Sequence, residues 1–159
     1  MIKIALTGPE CSGKTTLATR LAKELKAVML PEFARDFLSQ KNGYTFEDLD
    51  TIAAGQRQLE MEAEQKGHNL IVCDTDLLVV KIWSEVKFGK VSPLVEHLYQ
   101  TVTYDLTFLC KPIYDWEYDP LRETPDPLER MRLYSLYADA LVKEGRKFVC
   151  LAEGKSKKQ

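Results

Sequence analysis

The chain lacks the marks of several functional classes. Its 4 cysteines (Cys11, Cys73, Cys110 and Cys150) contain no C-x-x-C pair, and only 2 histidines, His68 and His97, accompany them. That excludes the usual zinc-ligand spacings. No apolar run approaches the roughly 18 residues of a membrane span, and no secretory leader is visible, so a reducing, cytoplasmic setting with no membrane partner is expected. A net charge of −2 leaves no basic field for nucleic acid, and the tail Lys155-Ser156-Lys157-Lys158-Gln159 is too short to supply one. Internal repeats and low-complexity linkers are missing too. What remains is a chain of 159 residues, 45% hydrophobic and 29% charged. That is expected to form one domain over 1–159 with a full-sized core. Nothing in it speaks for or against self-association.

The most informative stretch is Gly8-Pro9-Glu10-Cys11-Ser12-Gly13-Lys14-Thr15-Thr16. It fits G-x-x-x-x-G-K-[ST], the phosphate-binding P-loop. Two glycines let a short loop curl so that its N–H groups point at phosphate oxygens. Lys14 is expected to reach the β- and γ-phosphates and the Thr15 hydroxyl to ligate Mg²⁺. Context agrees: Ile2 to Thr7 reads as a strand. Leu17, Leu21 and Leu25, with Ala18 and Ala22 beside them, read as the apolar stripe of a helix whose N-terminus faces the anion. Cys11 reads as a small filler of the loop.

Apolar strand-like runs then alternate with helical patterns, which predicts α/β architecture with a parallel sheet. Ala27 to Leu30 is a short second strand. Pro31-Glu32-Phe33-Ala34-Arg35-Asp36-Phe37 follows it as a loop entering a helix. Glu32, Arg35 and Asp36 therefore fall at the carboxyl edge of the sheet, where open parallel sheets bind ligands. Thr45 and Asp48 signal a capping box for a helix whose face is traced by Phe46, Leu49, Ile52, Ala53, Gln56, Leu59 and Ala63. Within it, Ala54-Gly55-Gln56-Arg57 shows no chemistry by pattern alone. Leu70-Ile71-Val72-Cys73 delivers Asp74, Thr75 and Asp76 in a Walker B arrangement. Asp74 is the candidate partner of Thr15 at the metal, and Thr75 or Asp76 a possible cap for the next helix. Cys73, Cys110 and Cys150 end or lie within apolar runs and read as buried. Trp83 reads as a packing side chain and His97 as a surface or core histidine. Leu94, Leu98 and Val102 trace a further helix.

Tyr104 to Cys110 and Lys147 to Ala152 supply the fourth and fifth strands. Between them, 114–132 is a lid candidate, crowded with aromatics, acids and prolines. Asp126, Pro127 and Glu129 open a helix there that buries Leu128, Met131, Tyr134, Tyr137, Ala138 and Leu141. Arg122, Arg130 and Arg132 surround that junction. A closing arginine stabilises a transferring phosphoryl group, and Arg122 ranks first because it lies in the loop.

Together these motifs resemble the nucleoside kinase domain of NadR-type proteins, the bacterial ribosylnicotinamide kinases. The resemblance covers almost the whole chain. It rests on the P-loop, on Pro31-Glu32-Phe33-Ala34-Arg35-Asp36, on Gly55-Gln56, on Asp74-Thr75-Asp76, and on Trp116 to Arg122 as W-x-x-D-x-L-R, which includes Asp119. It implies a P-loop kinase fold, a five-stranded parallel sheet in the order 2-3-1-4-5. It also implies transfer of the ATP γ-phosphate to the 5′-hydroxyl of nicotinamide riboside. Glu32 and Asp36 would face the riboside, Asp74 and Asp76 the metal and hydroxyl, Trp116 the pyridinium ring, and Arg122 would be the lid arginine. Family members fused to an adenylyltransferase are longer than this chain. The family also tends to continue past the fifth strand into a last helix, so the adenine pocket is expected to be incomplete or built differently here.

The expected activity is thus an ATP- and Mg²⁺-dependent kinase acting on a small nucleoside-like partner. Glu10, Cys11, Ser12, Gly13 and Thr16 would hold nucleotide alongside Gly8, Lys14 and Thr15. The base is one carboxylate among Glu32, Asp36, Asp74 and Asp76, with Asp36 and Glu32 ranked first. Two alternatives stand beside it: a kinase for another nucleoside or a nucleoside monophosphate, for whose charge Arg35 and Arg57 could serve, and an ATP-binding regulatory module.

Overall fold

The computed structural model describes residues 1–112 and 124–151. The elements run β1 (Ile2–Thr7), α1 (Lys14–Leu25), β2 (Val28–Leu30), α2 (Phe33–Leu38), α3 (Phe46–Gln65), β3 (Leu70–Cys73), α4 (Leu77–Phe88), α5 (Pro93–Thr101), β4 (Leu106–Cys110), α6 (Pro127–Lys143) and β5 (Phe148–Leu151). The five strands form one sheet in the order β2-β3-β1-β4-β5. Every pairing is parallel. This is the order expected from the family resemblance.

The central strand, β1, is buried from Lys3 to Thr7. Successive side chains point to opposite faces. Ala5 joins Leu30, Ala63, Ile71 and Cys73 on one side, whereas Leu6 joins Ala18, Ala22, Val72 and Cys110 on the other. A larger cluster packs α2, α3, α4, α5 and α6 around Leu77, Leu78, Tyr99 and Tyr137. Register places Ala5 beside Cys73. The loop after β1 and the acids after β3 therefore emerge together at the carboxyl edge.

Near the other edge, Lys3 reaches a buried ion cluster on α3. Its Nζ lies 2.8 Å from Glu60 Oε1 and 3.0 Å from Glu64 Oε1, while Arg57 lies 3.1 Å from Glu64. The Tyr104 hydroxyl donates to Glu60 Oε2 at 2.9 Å. Glu60 is thus a fully buried carboxylate on a face that the apolar pattern alone did not reveal.

Four packing expectations are corrected. On α1 the small Ala18 and Ala22 make the buried contact, and Leu25 is exposed. Small side chains there let the helix approach the sheet closely. On α5 the buried residues are Val95 and Tyr99, followed by Val102, so Leu94 turns outward. Residues i, i+4 and i+7 share a face, and Leu94 lies one position off it. On α6 Arg130, Tyr137 and Leu141 are buried, while Leu128 is 79% exposed and Met131 is exposed as well. The apolar contact of the helix with the core starts at Leu133 and runs to Leu141, while the one buried side chain of its first turn is Arg130. Cys150 is exposed because β5 is the edge strand of the sheet.

Candidate active site

The P-loop is shaped by two backbone requirements. Gly8 has φ 136°, and a Cβ there would lie 2.5 Å from the Cys110 carbonyl oxygen of neighbouring β4. Gly13, with φ 76°, is the N-cap of α1. Glycine is the residue that accepts both conditions. Cys11 also has positive φ, 54°, and is buried in the loop as the filler its position suggested. The Ser12 hydroxyl donates to Pro9 O at 2.7 Å, and Lys14 Nζ donates to Gly8 O and Pro9 O at 2.8 and 2.9 Å. The lysine is thereby held across the mouth of the loop.

Thr15 Oγ1 donates to Asp74 Oδ2 at 2.9 Å, which joins α1 to the end of β3. The Asp74 backbone N–H donates to Leu30 O at 3.0 Å, extending the β2–β3 pairing and fixing the carboxylate's position. Burial pushes the Asp74 carboxyl above its usual range, while the Thr15 bond and the charges of Lys14 and Arg35 pull it back. A hydroxyl and one carboxylate form a donor set that suits Mg²⁺, which takes its remaining oxygens from water and phosphate. Among the described residues no group of three or more His, Cys, Asp or Glu forms a fuller cage.

The cleft in front of the loop is lined by Gly8, Glu10 to Thr16, Glu32, Arg35, Val79 and Trp83. Loop and acceptor candidates thus face one another. Glu32 stands at the N-cap position of α2 without a cap bond from its side chain. Its segment is pinned from α3. Gln56 Oε1 accepts from Phe33 N–H at 2.9 Å, and Gln56 Nε2 donates to Pro31 O at 3.5 Å. The Phe33 ring lies where a Cβ on Gly55 would stand, at 2.3 Å. Gly55-Gln56, without a role by pattern, is the seat that positions Glu32 and Arg35.

Other candidates are placed differently. Asp36 is exposed on α2 and is not in the cleft wall. Asp76 is buried as the α4 cap: its Oδ1 accepts from Thr7 Oγ1 at 2.8 Å and from Val79 N–H at 3.2 Å. Burial raises its carboxyl to about 6. Arg57 belongs to the Lys3 ion cluster and does not line the cleft. Arg132 is exposed and pairs with Glu129 at 3.2 Å, so Glu129 serves that pair while Asp126 alone caps α6. Trp116, Asp119 and Arg122 lie outside the described residues.

Two site features were not foreseen. Trp83 packs against the core as read, and it also lines the cleft. Its position i+4 from Val79 on α4 was legible, but the direction of that face was not. Glu10 accepts from the Thr124 backbone N–H at 3.0 Å, tying the P-loop to the segment that enters α6.

The sequence profile of the AAA domain family matches residues 3–158. The chain belongs to that family. It is 26% identical over 155 residues to the trifunctional NAD biosynthesis/regulator protein NadR of Escherichia coli strain K12, covering 94% of this chain and 38% of that protein. The NadR of Salmonella typhimurium strain LT2 is equally similar. The chain thus spans about two-fifths of the length of these relatives. Among solved structures, NadR protein in complex with NAD and AMP-PNP superposes with a TM-score of 0.80 at 21% identity, over 98% of this chain and 45% of that one. The thymidylate kinase of Ehrlichia chaffeensis superposes at 0.71 with 18% identity, over 98% and 90% of the two chains. The P-loop kinase fold is therefore the fold of this chain, and the resemblance to NadR extends through it.

Proposed function

We propose that residues 1–159 form a single kinase domain that, with ATP and Mg²⁺, phosphorylates the 5′-hydroxyl of nicotinamide riboside to give nicotinamide mononucleotide, a cytoplasmic step of NAD salvage. The supporting observation is the two-walled cleft, with the P-loop, whose Thr15 bonds Asp74, on one side and Glu32 and Arg35 on the other, in a chain that aligns with NadR over 94% of its length. Nicotinamide riboside enters as the acceptor because one of the NadR structures is a complex with NR.

Lys14 and the loop N–H groups hold the β- and γ-phosphates. Thr15 and Asp74 would hold the metal, which when bound neutralises charge on the phosphate oxygens. Glu32 orients the acceptor hydroxyl and takes its proton. The hydroxyl oxygen forms a bond to the γ-phosphorus, the bond to the β-phosphate oxygen breaks, and ADP leaves. Arg35 adds positive charge beside the reacting group. Glu32 ranks above Asp36, which is exposed outside the wall, and above Asp76, whose carboxylate is engaged by Thr7 and Val79. The catalysis is positioning plus electrostatic stabilisation. Trp116 and Asp119 at the acceptor, and Arg122 closing over the phosphoryl group, complete the proposal from the family motif.

The test is phosphorylation by purified protein with ATP and Mg²⁺, across nicotinamide riboside, the common nucleosides and their monophosphates, with Lys14→Ala as control. Turnover of nicotinamide riboside that vanishes in the control is expected. Turnover confined to another acceptor keeps the kinase and discards this substrate. Nucleotide binding with no acceptor turned over favours a regulatory module. The likeness to thymidylate kinase, together with Arg35 in the cleft, favours a nucleoside monophosphate as the second acceptor to test.

A further inference from the structure

The cleft continues beyond the phosphate loop. A second cavity adjoins it, walled by Pro9, Tyr44, Ile82, Leu133 and Tyr137, and both Glu10 and Trp83 belong to both cavities. Resting on the kinase reading above, we propose that Trp83 determines acceptor specificity: its indole is the platform for a flat heteroaromatic ring held where the cleft and this second cavity join, while the sugar hydroxyl stays between Glu32 and Lys14.

The arrangement fits the chemistry of a nucleoside. One end of such a molecule is a polar alcohol that must meet the phosphate, and the other is a planar ring that must leave water. The polar cleft and the more apolar cavity match those two ends, and Trp83 stands where they meet. The indole is only partly buried, although it sits on a helix whose neighbours Leu78, Val79 and Ile82 are fully buried. Its orientation is braced by Tyr44, another wall of that cavity, whose ring stacks on it at 6.1 Å between centroids and 28° between planes. Tyr44 is itself held by Lys87, whose Nζ lies 3.7 Å from the ring centroid. A large aromatic braced in this way and facing a cavity presents a π surface at little entropic cost. Val79, one turn earlier on α4, lines the cleft as well.

Two measurements on the full chain test this. In steady-state kinetics with nicotinamide riboside, Trp83→Ala is expected to raise the acceptor KM about 5- to 150-fold, the range for losing one base–aromatic stack. KM for ATP should stay within about twofold, and Trp83→Phe should recover most of the loss. The tryptophan fluorescence that the parent shows and Trp83→Phe lacks is that of Trp83, one of the 2 tryptophans. Its fluorescence should change on adding nicotinamide riboside and not on adding AMP-PNP. That titration decides the matter if Trp83→Ala fails to fold. Unchanged acceptor KM in folded Trp83→Ala, or a fluorescence response to AMP-PNP alone, overturns the proposal. The kinase reading fails separately. A nucleoside-dependent response without turnover keeps the platform and discards the kinase, whereas turnover without a response discards the platform and keeps the kinase.

Discussion

The Thr15 hydroxyl and the Asp74 carboxylate meet at 2.9 Å, so the end of the phosphate loop and the end of β3 share one polar centre. If that centre holds the metal, Thr15→Val and Asp74→Asn should each lower apparent Mg²⁺ affinity by about 10- to 100-fold, with Thr15→Ser close to the parent. Because burial raises the Asp74 carboxyl, metal affinity should fall on acidification at a higher pH than for an ordinary carboxylate. Mg²⁺ titration of activity at several pH values reads both effects.

Gly55 and Gln56 should matter to the acceptor although neither lines the cleft. A Cβ at residue 55 would meet the Phe33 ring at 2.3 Å. Gly55→Ala should therefore cost about 1–3 kcal/mol through overpacking and displace Glu32 with the ring. Gln56→Leu leaves the Phe33 N–H without its acceptor, for about 1–3 kcal/mol. Both variants should lower the melting temperature and raise KM for the acceptor more than for ATP.

Asp76 makes a prediction with a definite sign. Its carboxyl is raised to about 6 in the folded chain. Between its unfolded value and 6 the native state holds more protons than the unfolded state. Its contribution to stability is therefore complete below about pH 4 and is lost as pH rises through 6, by roughly 3 kcal/mol. Asp76→Asn keeps an oxygen for Thr7 and for the Val79 N–H, so it should match or exceed the parent's melting temperature at pH 7.5. The difference from the parent should shrink toward pH 4. Asp76→Ala should instead lose about 1–3 kcal/mol. Kinase activity preserved in folded Asp76→Asn would assign the residue to structure, and activity abolished there would assign it to the reaction.

The ion cluster under the sheet predicts an asymmetry. Lys3→Met strands the fully buried Glu60, leaving Arg57 at 3.7 Å as its remaining cationic neighbour, and should destabilise by about 3–5 kcal/mol. Lys3→Met with Glu60→Leu should restore much of that, as measured by urea unfolding.

Much of this was legible in the residues. The P-loop turn, the approach of Asp74 to Thr15, the capping box at Thr45 and Asp48, and the helix opening at Asp126 are local signals, and the structure places each where the residues put it. What was not legible depends on direction and on partners distant in the chain. Leu94 and Val95 are equally apolar, and only packing decides which of them turns inward. Glu60 reads as a surface acid until Lys3 and Tyr104 approach it. Asp36 and Glu32 looked equivalent by spacing, yet the cleft wall includes only Glu32. Trp83 had a period but no face.

The sheet order has a consequence for how the protein is made. β1 is the first of these five strands to be synthesised, yet it ends in the middle of the sheet. Its contact with Asp105 spans 102 positions, and the Thr7–Asp76 bond spans 69. A growing chain therefore carries its central strand with both edges unpaired until β3 and then β4 have emerged. Parallel pairing at such separations is slow, and open strand edges invite foreign partners. The phosphate loop shares that delay, because the Cys110 carbonyl that crowds Gly8 and the Asp74 carboxylate that meets Thr15 both belong to the later strands or their ends. Competence to bind nucleotide would thus come late in synthesis, after the strands on both sides of β1 are in place.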